Sequence, residues 1–381
     1  MDFAQFPRLG ILGGGQLARM TLQAAVSFGI DTVVLAEAPD SPAGRLAQHE
    51  IVGAWHDQQI LRRFADAVDV VTLENEFVDE RVLIQLAEWG KLVRPGPHVL
   101  GTIQDKLRQK QKLVNHALPV PDFAAVEHPD DILHYAAHWG WPLILKARRN
   151  GYDGYGNATL QSAADIPGAL DRLDWPTRQL MVERAVPFAC EIAVLIARND
   201  KGQMVTYPVV ETIQRQHICH IVRAPAAIDA HTAEQATRIA QAAVAAVQGI
   251  GITAVELFVT PEHAVLINEL APRPHNSGHF SIDACVTSQF ENHLRGVLGL
   301  PLGDPGLRAP AAVMVNLLGS RNGKLLPQGV EQALGLVDVH LHLYGKRETR
   351  IGRKLGHLTA LGSSMEETEL RARSASDMIK L

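Results

Sequence analysis

Glu256 and Glu269 stand in the segment TAVELFVTPEHAVLINELAPRPHNSGH (253–279), which reads as two strands and a turn. Side chains alternate across a strand, so Ala254, Glu256 and Phe258 share one side of the first strand. With Thr260 to His263 as the turn and an even loop, a symmetric hairpin pairs 259 with 264 and 256 with 267. Glu269 is then the diagonal neighbour of Glu256 on the same face, roughly 7–8 Å away between backbone positions. A lone strand glutamate usually faces solvent at a sheet edge. Two carboxylates this close on a mostly apolar hairpin offer hard oxygen ligands, and the chemistry that suits them is Mg²⁺ with positions left open for nucleotide phosphates. Arg273, His275 and Asn276 follow at once and add anion-binding groups and a neutral oxygen at the same strand end.

A second candidate lies at the start. LGILGGGQLARM (9–20) fits G-x-G-x-x-A after an apolar run, and Glu37 falls about twenty residues on, where a dinucleotide-binding domain places its ribose-binding acid. NAD is one reading. A glycine turn ahead of a helix offers free backbone N–H groups to any phosphate or carboxylate, and it also serves as a plain tight connection. No catalytic pair for hydride chemistry accompanies it, so an NAD-dependent oxidoreductase rests on the turn and Glu37 alone.

These residues need elements to hold them. From Arg8 the pattern is strand, glycine turn, helix; strands at 31–36 and 68–74 and a helix at 79–89 continue the alternation of a doubly wound parallel α/β sheet. Around 92–123 the texture changes, with the charged stretch DKLRQKQKL and the prolines of LPVPDF, and reads as an extended connector at a domain boundary. Strands at 141–148 and 179–184 frame the glycine-rich NGYDGYGN and suggest a small α+β module. Beyond Cys190 come strands at 191–198, 204–210, 253–259 and 264–270. A helix over about 233–248 is announced by Thr232 and Gln235 as a capping box. Apolar runs at 311–319, 337–345 and 349–362 close the chain.

Composition sets the class. With 381 residues, 46% of them hydrophobic and 20% charged, the chain can bury more than one core. A formal net charge of −5 gives no general pull on nucleic acid or a membrane surface. Cys190, Cys219 and Cys285 lie apart with no CxxC, which supports neither a disulfide framework nor a zinc site. No signal peptide or spanning run stands out, and the expected location is the cytoplasm.

INELAPRPHNSGH (267–279) closely resembles the signature of the 5-(carboxyamino)imidazole ribonucleotide synthase family, ATP-grasp enzymes of purine biosynthesis. GGGQLARM (13–20), VTLENE (71–76), RRNGYDGYGN (148–157) and GRKLGHL (352–358) resemble the same family in the same order, so the likeness spans nearly the whole chain. It implies an ATP-grasp fold: a Rossmann-like preATP-grasp domain over 1–109, a small lid over 110–188, and a large domain with a C-terminal extension over 189–381. It also implies that ATP lies between the two later domains while the glycine turn helps hold the acceptor.

Carried over residue by residue, the resemblance puts Lys106 and Lys146 on the ATP phosphates, under a loop formed by Gly151, Tyr152, Asp153, Gly154, Tyr155, Gly156 and Asn157. It assigns adenine to the strand end Glu183, Arg184, Ala185 and Val186, the ribose to Glu191, and adds Gln214, Asn268 and Glu269. Glu256 and Glu269 become the Mg²⁺ ligands. The acceptor side takes Gln16, Leu17, Glu76, Tyr152, Asp153, Arg273, His275, Asn276, Lys346, Arg353 and Lys354, with Arg273, Lys346, Asp153 and Tyr152 nearest the chemistry. The implied reaction uses ATP and bicarbonate to carboxylate 5-aminoimidazole ribonucleotide through carboxyphosphate, in a homodimer whose partners are small molecules. Arg273 suits bicarbonate through a two-pronged guanidinium contact. The chain departs from the family at Tyr155, where a cation is usual, and around Thr212, Gln214 and His217. Tyr155 keeps a related ligase with another acceptor open, such as a formate-using glycinamide ribonucleotide transformylase.

Overall fold

A computed structural model describes residues 6–151, 156–215 and 218–381. The first sheet is wholly parallel, in the order His49–Val52, Thr32–Ala36, Leu9–Leu12, Val70–Leu73 and Leu92–Val93. Its inner strands are continuous apolar runs because helices cover both faces. Alternate residues divide between two cores: Leu12, Val33, Leu35 and Val71 pack with Leu61, Phe64 and Leu83 of helices Gln58–Ala67 and Glu80–Glu88. Leu9, Ile11, Val34 and Val70 pack with Leu22 of helix Gln16–Ser27. The second core also holds Leu294, Val297 and Leu298 from around helix Gln289–Val297, so one apolar layer fastens the first sheet to the rest of the chain. Polar contacts fix the register of that seam. Thr72 Oγ1 lies 3.0 Å from His293 Nε2, and Arg94 donates to Val297 O at 2.8 Å and to Asp200 at 2.7 Å.

A four-stranded antiparallel sheet follows, in the order Phe123–Val126, Leu180–Arg184, Leu143–Ala147, Asn157–Leu160. The large sheet runs Val265–Ala271, Gly251–Val259, Cys190–Arg198, Val210–Arg215, Ile218–Ala224, Ala311–Leu318, Lys354–Gly362, Val339–Leu343, with Met204–Thr206 paired to Cys190–Arg198. Helix Ala230–Val247 covers it near the first end through Ala236, Ala240 and Val244, and helix Met365–Met378 near the other through Ala372 and Ala375. The last apolar runs of the sequence thus extend this sheet. Among the described residues no helix is long and apolar enough to cross a membrane.

Four local readings change. The stretch 92–123 holds two helices, Pro97–Gln104 and Lys106–Val114, where an extended connector was expected. Pro97 starts the first at a position where a missing N–H costs nothing, and the Asp105 side chain caps the second by accepting from Leu107 N and Arg108 N. Its charged run is amphipathic, burying Leu107, Lys110 and Leu113, and it passes through residue 109, where the sequence places the first domain boundary. The long helix is capped by Asp229, which accepts from Thr232 N at 2.9 Å, so it starts at Ala230 and Thr232 is no cap. The expected strand 204–210 ends at Thr206, and pairing resumes at Val210. The hairpin register also differs, and it bears directly on the two carboxylates.

Candidate active site

The loop joining Gly251–Val259 to Val265–Ala271 has five residues, closed by Thr260 N donating to Ala264 O at 2.9 Å. Val259 therefore pairs with Val265 and Leu257 with Ile267, one step from the even-loop expectation. Continued unbroken, that register would set Glu256 against Asn268 and send Glu269 to the opposite face. A β-bulge between the Leu257–Ile267 and Glu256–Glu269 pairs inserts Asn268 as the extra residue, so Glu256 pairs directly with Glu269. The bulge is what brings both acids onto one face. Glu191 joins them there, because Ala193 pairs with Glu256 and residues 191 and 193 share a side.

Three acids so gathered repel. Burial, then Glu269 and Glu191, push the Glu256 carboxyl up to about 8; burial, then Glu269, raise Glu191 to about 7. Glu269 itself stays below the usual range, because Lys106, its ion-pair partner, outweighs the effect of burial. His275 Nδ1 accepts from Ser277 N at 3.3 Å, so Nε2 carries the ring proton toward Glu256 Oε1 at 3.2 Å. Burial, then Arg273 and Lys354, lower His275 to about 3, which keeps it neutral.

Opposite this acidic face stands a cluster of lysines. Lys146, in strand Leu143–Ala147, reaches Glu183 of the neighbouring strand at 2.7 Å and Asn268 Oδ1 at 3.4 Å. Lys106 opens helix Lys106–Val114, and Lys110, one turn on, lies 3.3 Å from Glu183. Burial would raise Glu183, but Lys146 and Lys110 outweigh it and hold the carboxylate ionised. Burial lowers Lys110 to about 8. Hard carboxylate oxygens beside fixed ammonium groups suit a divalent cation and a polyphosphate.

A cavity of about 370 Å³ opens between these faces, and it collects most of the residues expected from the sequence. Gln16, Leu17 and Glu76 come from the first domain, Lys106 from the helix start, and Lys146, Gly151 and Asn157 from the four-stranded sheet and its loop. Glu191, Gln214, Glu256, Asn268 and Glu269 come from the large sheet, and Arg273, His275, Asn276 and Lys354 complete the wall. Gly156, next to Asn157, takes φ +102° and passes its carbonyl to Ala147 N at 2.7 Å. Asn276 and Asn316 exchange amide hydrogen bonds at 2.9 and 2.6 Å. Tyr152, Asp153, Gly154, Tyr155 and His217 lie outside the described residues.

Several expected site residues stand back from the cavity wall. The Glu183 side chain anchors lysines from beneath, and Arg184 and Ala185 donate their backbone N–H groups to Asp122 O and Pro142 O, with Val186 following. Lys346 donates to Lys354 O at 2.7 Å; burial, then Arg353, lower it to about 8. Arg353 donates to Glu348 O at 3.1 Å. Arg273 is no open clamp for bicarbonate: its Nε and Nη2 both engage Glu76, the second at 2.7 Å, and Nη1 donates to Pro274 O. Burial would raise Glu76, but Arg273 draws it down to about 2.

The glycine turn receives no cofactor phosphate. Glu74 occupies the helix N-terminus, its two oxygens accepting from Gly15 N at 2.7 Å and Ala18 N at 3.1 Å. A Cβ on Gly13 would come within 2.4 Å of Glu74, and one on Gly15 within 2.6 Å. The glycines admit the protein's own carboxylate where a pyrophosphate would have to sit, and Glu37 is exposed. The NAD reading therefore fails on charge and on space. Sequence reasoning missed Glu74, Asn75, Phe77, Cys219 and His279 in the wall and Lys110 beneath it. Lys110 carried a signal, four residues after Lys106 and so on the same helix face.

Comparison with known proteins agrees with this geometry. The models of three families match in order: a ribonucleotide synthetase preATP-grasp domain over 6–104, an ATP-grasp domain over 111–290, and a phosphoribosylaminoimidazole carboxylase C-terminal domain over 312–371. The chain is 40% identical to an N5-carboxyaminoimidazole ribonucleotide synthase of Synechococcus elongatus over 97% of its length and 93% of that protein. It is equally identical to the chloroplastic phosphoribosylaminoimidazole carboxylase of Vigna aconitifolia, but spans only 65% of that longer protein. Among solved structures, the N5-carboxyaminoimidazole ribonucleotide synthetase of Thermotoga maritima is similar with a TM-score of 0.88 at 37% identity, over 98% of this chain and 99% of that one. An Aspergillus clavatus N5-carboxyaminoimidazole synthase in complex with ADP and 5-aminoimidazole ribonucleotide gives a TM-score of 0.90 at 33% identity, over 98% of each chain.

Proposed function

This chain belongs to the N5-carboxyaminoimidazole ribonucleotide synthase family of ATP-grasp enzymes, and we propose how its cavity couples ATP cleavage to carboxylation of an amine. It is an ATP-grasp ligase that makes N5-carboxyaminoimidazole ribonucleotide from 5-aminoimidazole ribonucleotide in purine biosynthesis. Bicarbonate takes the γ-phosphoryl group of ATP, giving carboxyphosphate and ADP. The exocyclic amine then attacks the carboxyl carbon to form the N–C bond, the bond from that carbon to the oxygen bridging to phosphorus breaks with its electron pair going to the departing phosphate, and the nitrogen gives up one proton, which the phosphate takes.

The residues divide the work by position. Lys106 and Lys146 neutralise the phosphates, and Glu183 with Lys110 beneath holds Lys146 in place. Glu191 takes the ribose, and the Glu183–Val186 strand end, in the four-stranded sheet, takes adenine. Glu256 and Glu269, with Asn268 beside them, are the ligands for Mg²⁺, which supplies charge neutralisation at the transferring phosphoryl group when bound. Their fit to a cation rests on the donor set: two carboxylates paired on one face and lining the cavity beside Lys106 and Lys146. Arg273, tied to Glu76, braces the cavity wall between the first domain and the large sheet. Gln16, Leu17, Asn276 and Lys354 hold the ribonucleotide, and Lys346 and Arg353 support the wall from behind.

A single observation carries this reading: the bulge at Asn268 turns Glu256 and Glu269 onto one face, toward a cavity shared by the lysines and the first domain. Purified protein with ATP, Mg²⁺ and bicarbonate is expected to release phosphate rapidly only when 5-aminoimidazole ribonucleotide is added. Equal release without that acceptor, or release driven instead by glycinamide ribonucleotide and formate, would overturn it.

A further inference from the structure

Away from the carboxylate face, the C-terminal part of the large sheet carries a second group of ligand-type side chains. His342 and His357 are directly paired residues on the antiparallel strands Val339–Leu343 and Lys354–Gly362, so both project from one face. Asp283 approaches from helix Ser281–Ala284, its Oδ2 lying 2.9 Å from His342 Nε2. One ligand atom from each of Asp283, His342 and His357 lies within 4.8 Å of the others. His340 shares the face, two residues before His342, and its Nδ1 is 3.9 Å from Asp283 Oδ1.

The decisive detail is an orphaned nitrogen. His357 is 0% exposed, and its Nδ1 is held by Tyr344 OH at 2.9 Å. Its Nε2 has no hydrogen-bond partner among the described residues. A buried ring nitrogen left without a partner costs about 1–3 kcal/mol, a cost that a ligand bound there would offset. His342 is partly exposed, with 23% of its side chain reachable from solvent, so an ion has a path in.

We propose that Asp283, His342 and His357, with His340 as an outer fourth ligand, form a site for a transition-metal ion of the Zn²⁺ class, separate from the carboxylates that face the nucleotide cavity. Two or three imidazoles and one carboxylate are the donor set that suits zinc, whereas Mg²⁺ selects oxygen alone. Zinc–ligand bonds of about 2.0–2.2 Å require donors roughly 3.3–3.5 Å apart with their lone pairs converging. The rings of His342 and His357 stack at 4.6 Å with 16° between their planes, so the partly exposed His342 ring turns out of the stack as the ion enters. The second shell is already in place, since Tyr344 orients His357 through its other nitrogen. The ring of His279, which lines the nucleotide cavity, lies 5.0 Å from that of His357, so an ion here sits one side chain behind the active site.

The test uses full-length protein stripped with EDTA and titrated with Zn²⁺ against a chromogenic chelator in excess Mg²⁺. One saturable site per chain is expected, weakened at least tenfold by His342→Ala and by Asp283→Asn. It should be unchanged in Glu269→Gln and in the double variant of the surface pair His134 and His138, both changed to Ala. Absence of saturable binding, or binding that survives His342→Ala and Asp283→Asn but disappears in a control variant, would overturn the proposal. Anomalous scattering from wild-type crystals soaked in Zn²⁺ gives a readout independent of variant folding: a peak between Asp283 and His342 supports the site, and peaks only elsewhere overturn it.

Discussion

Glu76→Gln is the most informative single change in the chain. Glu76 belongs to the first domain and Arg273 follows the strand Val265–Ala271, so their paired contact ties the first domain to the large sheet across the cavity wall. The side chains are only 23% and 16% exposed, so water screens the pair weakly. Arg273 moves the Glu76 carboxyl from 4.5 to about 2. At 1.36 kcal/mol for each pH unit, that preference for the ionised form is worth about 3 kcal/mol. Removing one partner of a buried ion pair costs about 3–5 kcal/mol by an independent measure, because the other charge is left stranded. Urea unfolding at pH 7 should therefore show Glu76→Gln less stable than wild type by about 3 kcal/mol. The sign with pH follows from linkage. A lowered carboxyl contributes fully above 4.5 and loses its contribution as pH falls through about 2, so the gap should shrink by about 1 kcal/mol at pH 3.5. Equal stability at pH 7, or a gap that widens on acidification, would refute the claim that this pair locks the two parts together.

Because the Glu256 carboxyl stands at about 8, Mg²⁺ binding near pH 7 should release about one proton that Glu256→Gln does not release. Calorimetry in buffers of different ionisation enthalpy reads this directly, and an identical proton count in the two proteins would contradict it. The same raised carboxyl stabilises the metal-free fold at low pH and loses that contribution as pH rises through about 8, so the variant should gain on wild type in Tm across that range. Gly15→Ala places a methyl 2.6 Å from the half-buried Glu74 carboxylate, and thermal unfolding should show a loss of about 1–3 kcal/mol; an unchanged Tm would mean that Glu74 does not fill the helix end.

The sequence made the strands legible because period-two alternation and continuous apolar runs are local properties of the chain. It also pointed to Glu256 and Glu269 as neighbours, but through a register the protein does not use. A loop of four or five residues leaves the same hydrophobic pattern, and the bulge at Asn268 shows only in the pairing of the two strands. The charged run from Asp105 onward read as a connector because a buried lysine looks like a surface one until its partner is known. The partner of Lys110, Glu183, comes from a strand of another sheet. The same limit explains Arg273, whose fork is taken by Glu76 across 197 residues, and the glycine turn, whose N–H groups meet Glu74 across 59. Residue types announced the chemistry, and tertiary pairing decided which groups remained available for ligands.

The central claim is tested most directly by a crystal structure with Mn²⁺ and ATP, read by anomalous scattering at the manganese edge. The account predicts manganese between the carboxylates of Glu256 and Glu269, with the triphosphate alongside Lys106 and Lys146. Manganese held elsewhere, or a triphosphate resting on Gly13 to Gly15, would contradict it.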